Sequence, residues 1–175
     1  MHRSRVSIIV GAALALGAII SPSGALAVEK PEVFGPFVDT EDFIGFDCGD
    51  FLIRITGTLT TTFTVYFDAN DDLIKVVMRV RAPGDTATNT VTGKFVVNRG
   101  EFQETLTPIP GTDEFEKSIS GYRYFVNAPG EGVVLRDVGR IRYGDLEQTI
   151  LLWKAGKHDI EYDANLQPLF CDLLG

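Results

Sequence analysis

From Phe51 onward, hydrophobic and polar residues alternate with period two, the spacing of a half-buried β-strand. In Leu52–Thr58, Ile53 and Ile55 alternate with Arg54 and Thr56. In Thr61–Phe67, Phe63, Val65 and Phe67 share one face, and Thr62, Thr64 and Tyr66 the other. Asp68-Ala69-Asn70-Asp71-Asp72 follows, built of residues that tolerate turn geometry. Leu73–Arg81 then sets Ile74, Val76, Met78 and Val80 against Lys75, Val77, Arg79 and Arg81. These two runs and their turn predict a β-hairpin.

The same reading continues to the end of the chain. Pro83-Gly84-Asp85 predicts a turn, and Thr86–Thr92 a strand with Thr at every second position. Phe95–Leu106 predicts another, with a bulge or bend at Asn98-Arg99-Gly100. Pro108, Pro110 and Gly111 open a loop. Ile119–Asn127, Val133–Tyr143 and Gln148–Lys154 complete the set. Gly139 marks a bulge or strong curvature, Gly156 a stop, and the tail from Glu161 a short helical turn before Cys171. Residues 28–47 show no period and read as an N-terminal arm pinned by Phe34, Phe37, Phe43 and Phe46. About eight short strands with few helices predict an all-β antiparallel barrel, the alternative being a two-sheet sandwich. A barrel of about this strand number encloses packed side chains or one small ligand.

The first 27 residues read differently. His2, Arg3 and Arg5 precede an apolar run, Val6–Ile20, which Ser21-Pro22-Ser23-Gly24 interrupts before Ala25-Leu26-Ala27. This is the layout of a cleaved secretory signal peptide. The run falls short of the ~20 apolar residues a spanning helix needs. The expected organisation is therefore a signal peptide over 1–27, an arm over 28–47 and one barrel domain over 48–175, secreted to the extracellular side. The leader carries two of the 16 basic residues and none of the 24 acids, so its removal takes the formal charge from −8 to −10. That field repels nucleic acid and anionic membranes. In an exported chain, Cys48 and Cys171 predict one disulfide that staples the two ends of the barrel domain together.

Candidate chemistry is sparse. His158 beside Asp159 could be an oriented base, but neither Ser118 nor Ser120 sits in a Gly-x-Ser-x-Gly motif. One His with two bridged cysteines is too few for a zinc site. Asp68-x-Asn70-x-Asp72 begins like a calcium loop, yet Leu73 and Arg79 stand where Gly and Glu are required. No catalytic residue, metal or cofactor is assigned. Arg79 and Arg81 share a strand face, as do Arg136, Arg140 and Arg142 apart from any bulge at Gly139, so an anion-receiving strip competes with ordinary cross-strand pairing. The candidate lining of a ligand cavity is Phe63, Val65, Met78, Val80, Tyr122, Tyr124 and Trp153, with Arg79 and Arg140 as polar partners.

The stretches Phe46-Asp47-Cys48-Gly49, Tyr66-Phe67-Asp68-Ala69-Asn70 and Asn127-Ala128-Pro129-Gly130-Glu131-Gly132 resemble a group of small exported actinobacterial proteins, a likeness that transfers no site. The expected barrel is loosely similar to calycins and allene oxide cyclase-like barrels, although the Gly-x-Trp triplet of lipocalins is missing. Fold analogy does not assign function. The leading expectation is a secreted, non-enzymatic barrel that binds a small apolar ligand. The alternatives are an extracellular protein–protein interaction module and a cyclase- or isomerase-like enzyme. The enzyme would need an ionisable group inside the barrel, with Glu104 and Tyr122 as candidates.

Overall fold

The computed structural model describes residues 30–160 and 166–175; the expected leader lies outside them. Seven strands form one antiparallel sheet in chain order: β1 Glu32–Asp47, β2 Leu52–Phe67, β3 Leu73–Asn89, β4 Phe95–Pro108, β5 Phe115–Ala128, β6 Gly132–Tyr143 and β7 Leu151–His158. One helix, α1 Leu166–Leu174, follows. There is a single sheet among the described residues, so the two-sheet sandwich is set aside. Among the described residues the sheet also does not close: β1 pairs with β2 and β7 with β6, and not with each other.

Two differences from the sequence reading share one cause, the β-bulge. A bulge inserts a residue and shifts the phase of alternation without ending the strand. Leu52–Thr58 and Thr61–Phe67 are simply one strand, whose pairing with β1 runs unbroken from Thr61 to Arg54; the register shift against β3 between Thr56 and Thr60 comes from one more residue on β3. Pro83-Gly84-Asp85 is not a turn; β3 runs through it with a shift between Ala82 and Asp85. The supposed arm is β1, with shifts between Phe34 and Phe37 and between Ile44 and Phe46. Those two shifts put all four phenylalanines opposite Phe63, Thr61, Ile55 and Ile53, on one face. Period-two counting cannot see this. Likewise β7 does not stop at Gly156 but continues to His158.

Strands β1–β6 are 12 to 17 residues long, well beyond the usual ~5–6. A line of glycines and bulges crosses them. Gly121 pairs with Gly139, and Gly139 with Gly156, at φ of 117°, 149° and 122°, which residues with a Cβ rarely adopt. A Cβ on Gly139 would lie 2.2 Å from the Ala155 carbonyl oxygen, and one on Gly121 2.4 Å from that of Glu101. On β4 the line continues at the shift between Arg99 and Glu101. The bend gives the sheet a concave face.

At one end of that face, α1 packs into the curve. Phe170 and Leu174 are buried with Ile53, Val96, Val126 and Leu135. Phe46 stacks on Phe170 at 5.4 Å between centroids. The Cys48–Cys171 disulfide joins the β1–β2 turn to the helix. Buried Asn89 donates through Nδ2 to the Leu174 carbonyl at 3.0 Å and accepts from the backbone amides of Val91 and Thr92. One side chain thus ties the helix C-terminus to the β3–β4 turn. At the other end Ile119, Ile141 and Tyr143 form a second core patch. The expected hairpin turn at Asp68–Asp72 is present, with the Asp68 carboxylate accepting from Asn70 and Asp72 amides.

Two stability measurements follow. The disulfide closes a sequence separation of 123 residues, for which chain-entropy arithmetic gives about 5 kcal/mol. Replacing both cysteines by serine should lower unfolding free energy by up to that amount in chemical denaturation. Gly139→Ala should cost about 2–3 kcal/mol in the same assay, because both backbone conformation and space oppose a Cβ there.

Candidate ligand-binding groove

The described residues leave the concave face between the two core patches unfilled. A groove of about 410 Å³ opens there, floored by β2–β4 and flanked by β1, β5 and the start of α1. Its apolar lining includes Phe43, Ile55, Leu59, Met78, Val80, Phe102, Tyr124 and Phe170. The strand register explains the gathering. Val80 lies opposite both Thr61 and Phe102, and Met78 opposite Phe63, so alternate residues of neighbouring strands all face inward.

The polar side chains at this groove are few: Glu41, Thr61, Asp85, Thr86, Asn98 and Arg123. Asp85 is turned inward by the bulge after Ala82. Its carboxylate lies over Gly57, where a Cβ would come within 2.1 Å of Asp85 Oδ1. Gly57 itself pairs with Glu41, so the absent side chain brings two carboxyl groups to one spot. Asp85 Oδ1 is buried and has no hydrogen-bond partner among the described residues. Burial pushes the Asp85 carboxyl above its usual range, the negative charge of Glu41 adds to this, and a backbone hydrogen bond from Thr58 opposes it. Across the groove the Arg123 guanidinium sits 6.0 Å from the Phe102 ring centroid and 5.7 Å from that of Tyr124, within cation–π range.

The structure divides the expected site residues between two faces. Met78, Val80 and Tyr124 line the groove. Phe63 and Val65 share the concave face but lie nearer the β2–β3 turn, outside the lining. Tyr122, Trp153, Arg79 and Arg140 lie on the convex face. There Tyr122 donates to Glu101 at 3.3 Å, and Trp153, opposite Arg142, is 49% exposed. The arginines do form a convex row, but neighbours occupy most of it. Arg79 donates to Gln103, Arg81 faces Glu101 at 4.0 Å and Arg142 pairs with Glu116. Of these four, Arg140 alone has no polar partner among the described residues. A polar hollow of about 460 Å³ beside it is lined by residues including Gln103, Ser120 and Arg142.

Three other candidates resolve into structural roles. His158 pairs not with Asp159 but with Asp137, Nδ1 to Oδ1 at 2.6 Å. Its Nε2 faces the Ala155 carbonyl at 3.1 Å. The two side chains are 7% and 4% exposed, so the pair fastens β7 to β6 and meets no nucleophile. Asp159 instead pairs with Lys157 and accepts from the Arg136 amide. Glu104 does face inward, opposite Ile119 and Met78, but Lys117 neutralises it at 3.1 Å. Among the described residues no cluster of His, Cys, Asp and Glu is placed to hold a metal ion. No helix among them is long and apolar enough to cross a membrane.

Asp85, Glu41, Phe43 and Leu59 are groove residues that period-two reasoning did not pick out. Asp85 sat in an apparent Pro-Gly-Asp turn and Glu41 in an apparent arm. The only available signal was the spacing of three between aromatic residues of β1, which a bulge converts into a shared face. Comparison with known protein families, with curated proteins and with solved structures gives no match.

Asp85 yields a pH prediction. Its carboxyl is raised in the folded state, so the stability it contributes is fully present below the unfolded value near ~3.9 and is lost as pH rises through the folded value. Asp85→Asn removes this loss. At pH 7 the variant should be at least as stable as the wild type, by no more than about 1 kcal/mol because water screens the site. The difference should shrink or reverse near pH 4. Thermal melts of both proteins across this range check it.

Proposed function

We propose that this chain is an exported, non-enzymatic β-sheet protein that holds a small, largely apolar ligand in its concave groove, with the ligand's polar end at Asp85. The observation that carries this reading is the groove itself. Its volume of about 410 Å³ falls in the ~300–1,000 Å³ range of small-molecule sites. Its lining is mainly apolar, and it has a few convergent polar groups at one place. An unpartnered buried carboxylate oxygen is costly, and a ligand donor would remove that cost. Export is supported by the composition of residues 1–27 and by the disulfide, which suits an oxidising compartment.

One observation favours a second reading. A cyclase- or isomerase-like enzyme needs an inward ionisable group, and Asp85 is such a group, with no cation bonded to its buried oxygen. The two readings part on what happens to the ligand. A carrier returns it unchanged; an enzyme converts it, and Asp85→Asn stops the conversion while binding persists.

Native mass spectrometry of the purified protein, followed by titration with the neutral apolar dye Nile red, tests the site. A ligand mass lost on denaturation, or saturable dye binding, is expected. Leu59→Trp, which fills the groove, should weaken dye binding about tenfold, equivalent to about 1.4 kcal/mol. Trp153 lies on the convex face, so its emission in the wild type should stay constant through the titration. A bare mass together with unsaturable dye uptake would sink the proposal.

A further inference from the structure

The two edges of the sheet, unpaired among the described residues, are unlike in charge and alike in exposed apolar surface. Strand β1 carries Glu32, Asp39, Glu41, Asp42 and Asp47 and no basic residue; β7 carries Lys154, Lys157 and His158 and no acid. Both are lined with exposed large apolar side chains, among them Val38 at 64%, Ile44 at 51% and Phe37 at 50% on β1, and Leu152 at 50% and Trp153 at 49% on β7. Long apolar edges with unpaired backbone groups are templates for a further strand.

We propose that β1 of one molecule pairs with β7 of a second copy, so that the sheet continues from molecule to molecule. Charge chooses this arrangement over the symmetric ones. A β1–β1 pair would set five acids against five, and like charges on paired strands destabilise. A β7–β7 pair spans only 8 residues and sets lysine against lysine. In the mixed pair, acid meets base. The sheet geometry agrees. A second copy placed with its concave face on the same side brings its β7 alongside β1 in parallel. Lys154 lies opposite Ile141 and so on the concave face. Asp39 and Glu41, opposite Leu59 and Gly57, share that face. Lys157 and His158 are already paired with Asp159 and Asp137, whereas Lys154 has no ion-pair partner among the described residues. Neither does Asp39. Pro36 offers no backbone N–H, which a pairing strand interior tolerates poorly, so the usable part of β1 is the stretch after it, where Asp39 and Glu41 lie.

Such contacts are head-to-tail, so they build a ring or an open chain rather than stopping at two. The test is sedimentation of the purified protein from about 1 to about 100 μM, at low and at high salt. Weight-average mass should rise at least twofold with concentration and fall at high salt, since exposed ion pairs are screened. Lys154→Glu alone and Asp39→Lys alone should each remove the association, Lys154→Arg should keep it, and an equimolar mixture of the two reversed variants should restore it. Restoration excludes misfolding of either variant as the cause of loss. Glu41 is left untouched because it borders the groove, so Nile red binding reports separately on that site. Hydrogen exchange should show β1 and β7 amides gaining protection as concentration rises. A monomer at every concentration overturns the proposal. If β1 and β7 amides are nonetheless protected in that monomer, the sheet closes on itself as a barrel. An assembly that stops at two and ignores the charge reversals overturns it in favour of a symmetric pair.

Discussion

The structure depends on backbone approaching backbone without a side chain between. At Gly121, Gly139 and Gly156 a methyl group would sit little more than 2 Å from a carbonyl oxygen. Only glycine permits this contact and the φ values that go with it. Without that line, strands this long would form a broad twisted ribbon with little concave volume. With it, one end of the sheet receives α1 and the middle keeps a groove. The bulges on β3 and β5 continue the bend, and the one on β3 also turns Asp85 inward. Curvature and site therefore arise from the same irregularities.

Much of the fold was legible because packing leaves a periodic trace. The alternation in Leu73–Arg81 and Thr61–Phe67 marked the central strands, and the acidic turn between them marked the hairpin. The irregularity at Asn98–Gly100, the curvature at Gly139 and the disulfide were also legible. The bulges elsewhere were not. Pro83-Gly84 looked like a strand end because a bulge and a turn use the same residues. The open sheet was hidden for a related reason: whether strands number seven or eight depends on whether such a mark ends a strand.

The site was legible only where it coincided with regular alternation. Met78, Val80 and Tyr124 line the groove. Trp153 and Tyr122 were named with them on chemical type alone, and alternation places both on the convex face. Asp85 and Glu41 were missed for a physical reason. Each sits at a place where the chain departs from regularity, and the void above Gly57 that unites them is a tertiary fact. Glu104 shows the converse. Its inward position was an open question in the sequence, and its neutralisation by Lys117 lies one strand away.

The disulfide has a mechanical consequence. Cys48 lies just after β1 and Cys171 within α1, near the C-terminus. A pull applied between the chain's two ends would travel along β1, cross the sulfur–sulfur bond and leave through the last residues of α1. Strands β2 to β7 lie inside the covalent loop and would carry none of the load. Of the strands, only β1 could be stripped from its neighbour, together with the last residues of α1 beyond Cys171. The groove's floor of β2–β4 would keep its shape under tension, while β1, the wall bearing Glu41 and Phe43, would be the part that yields.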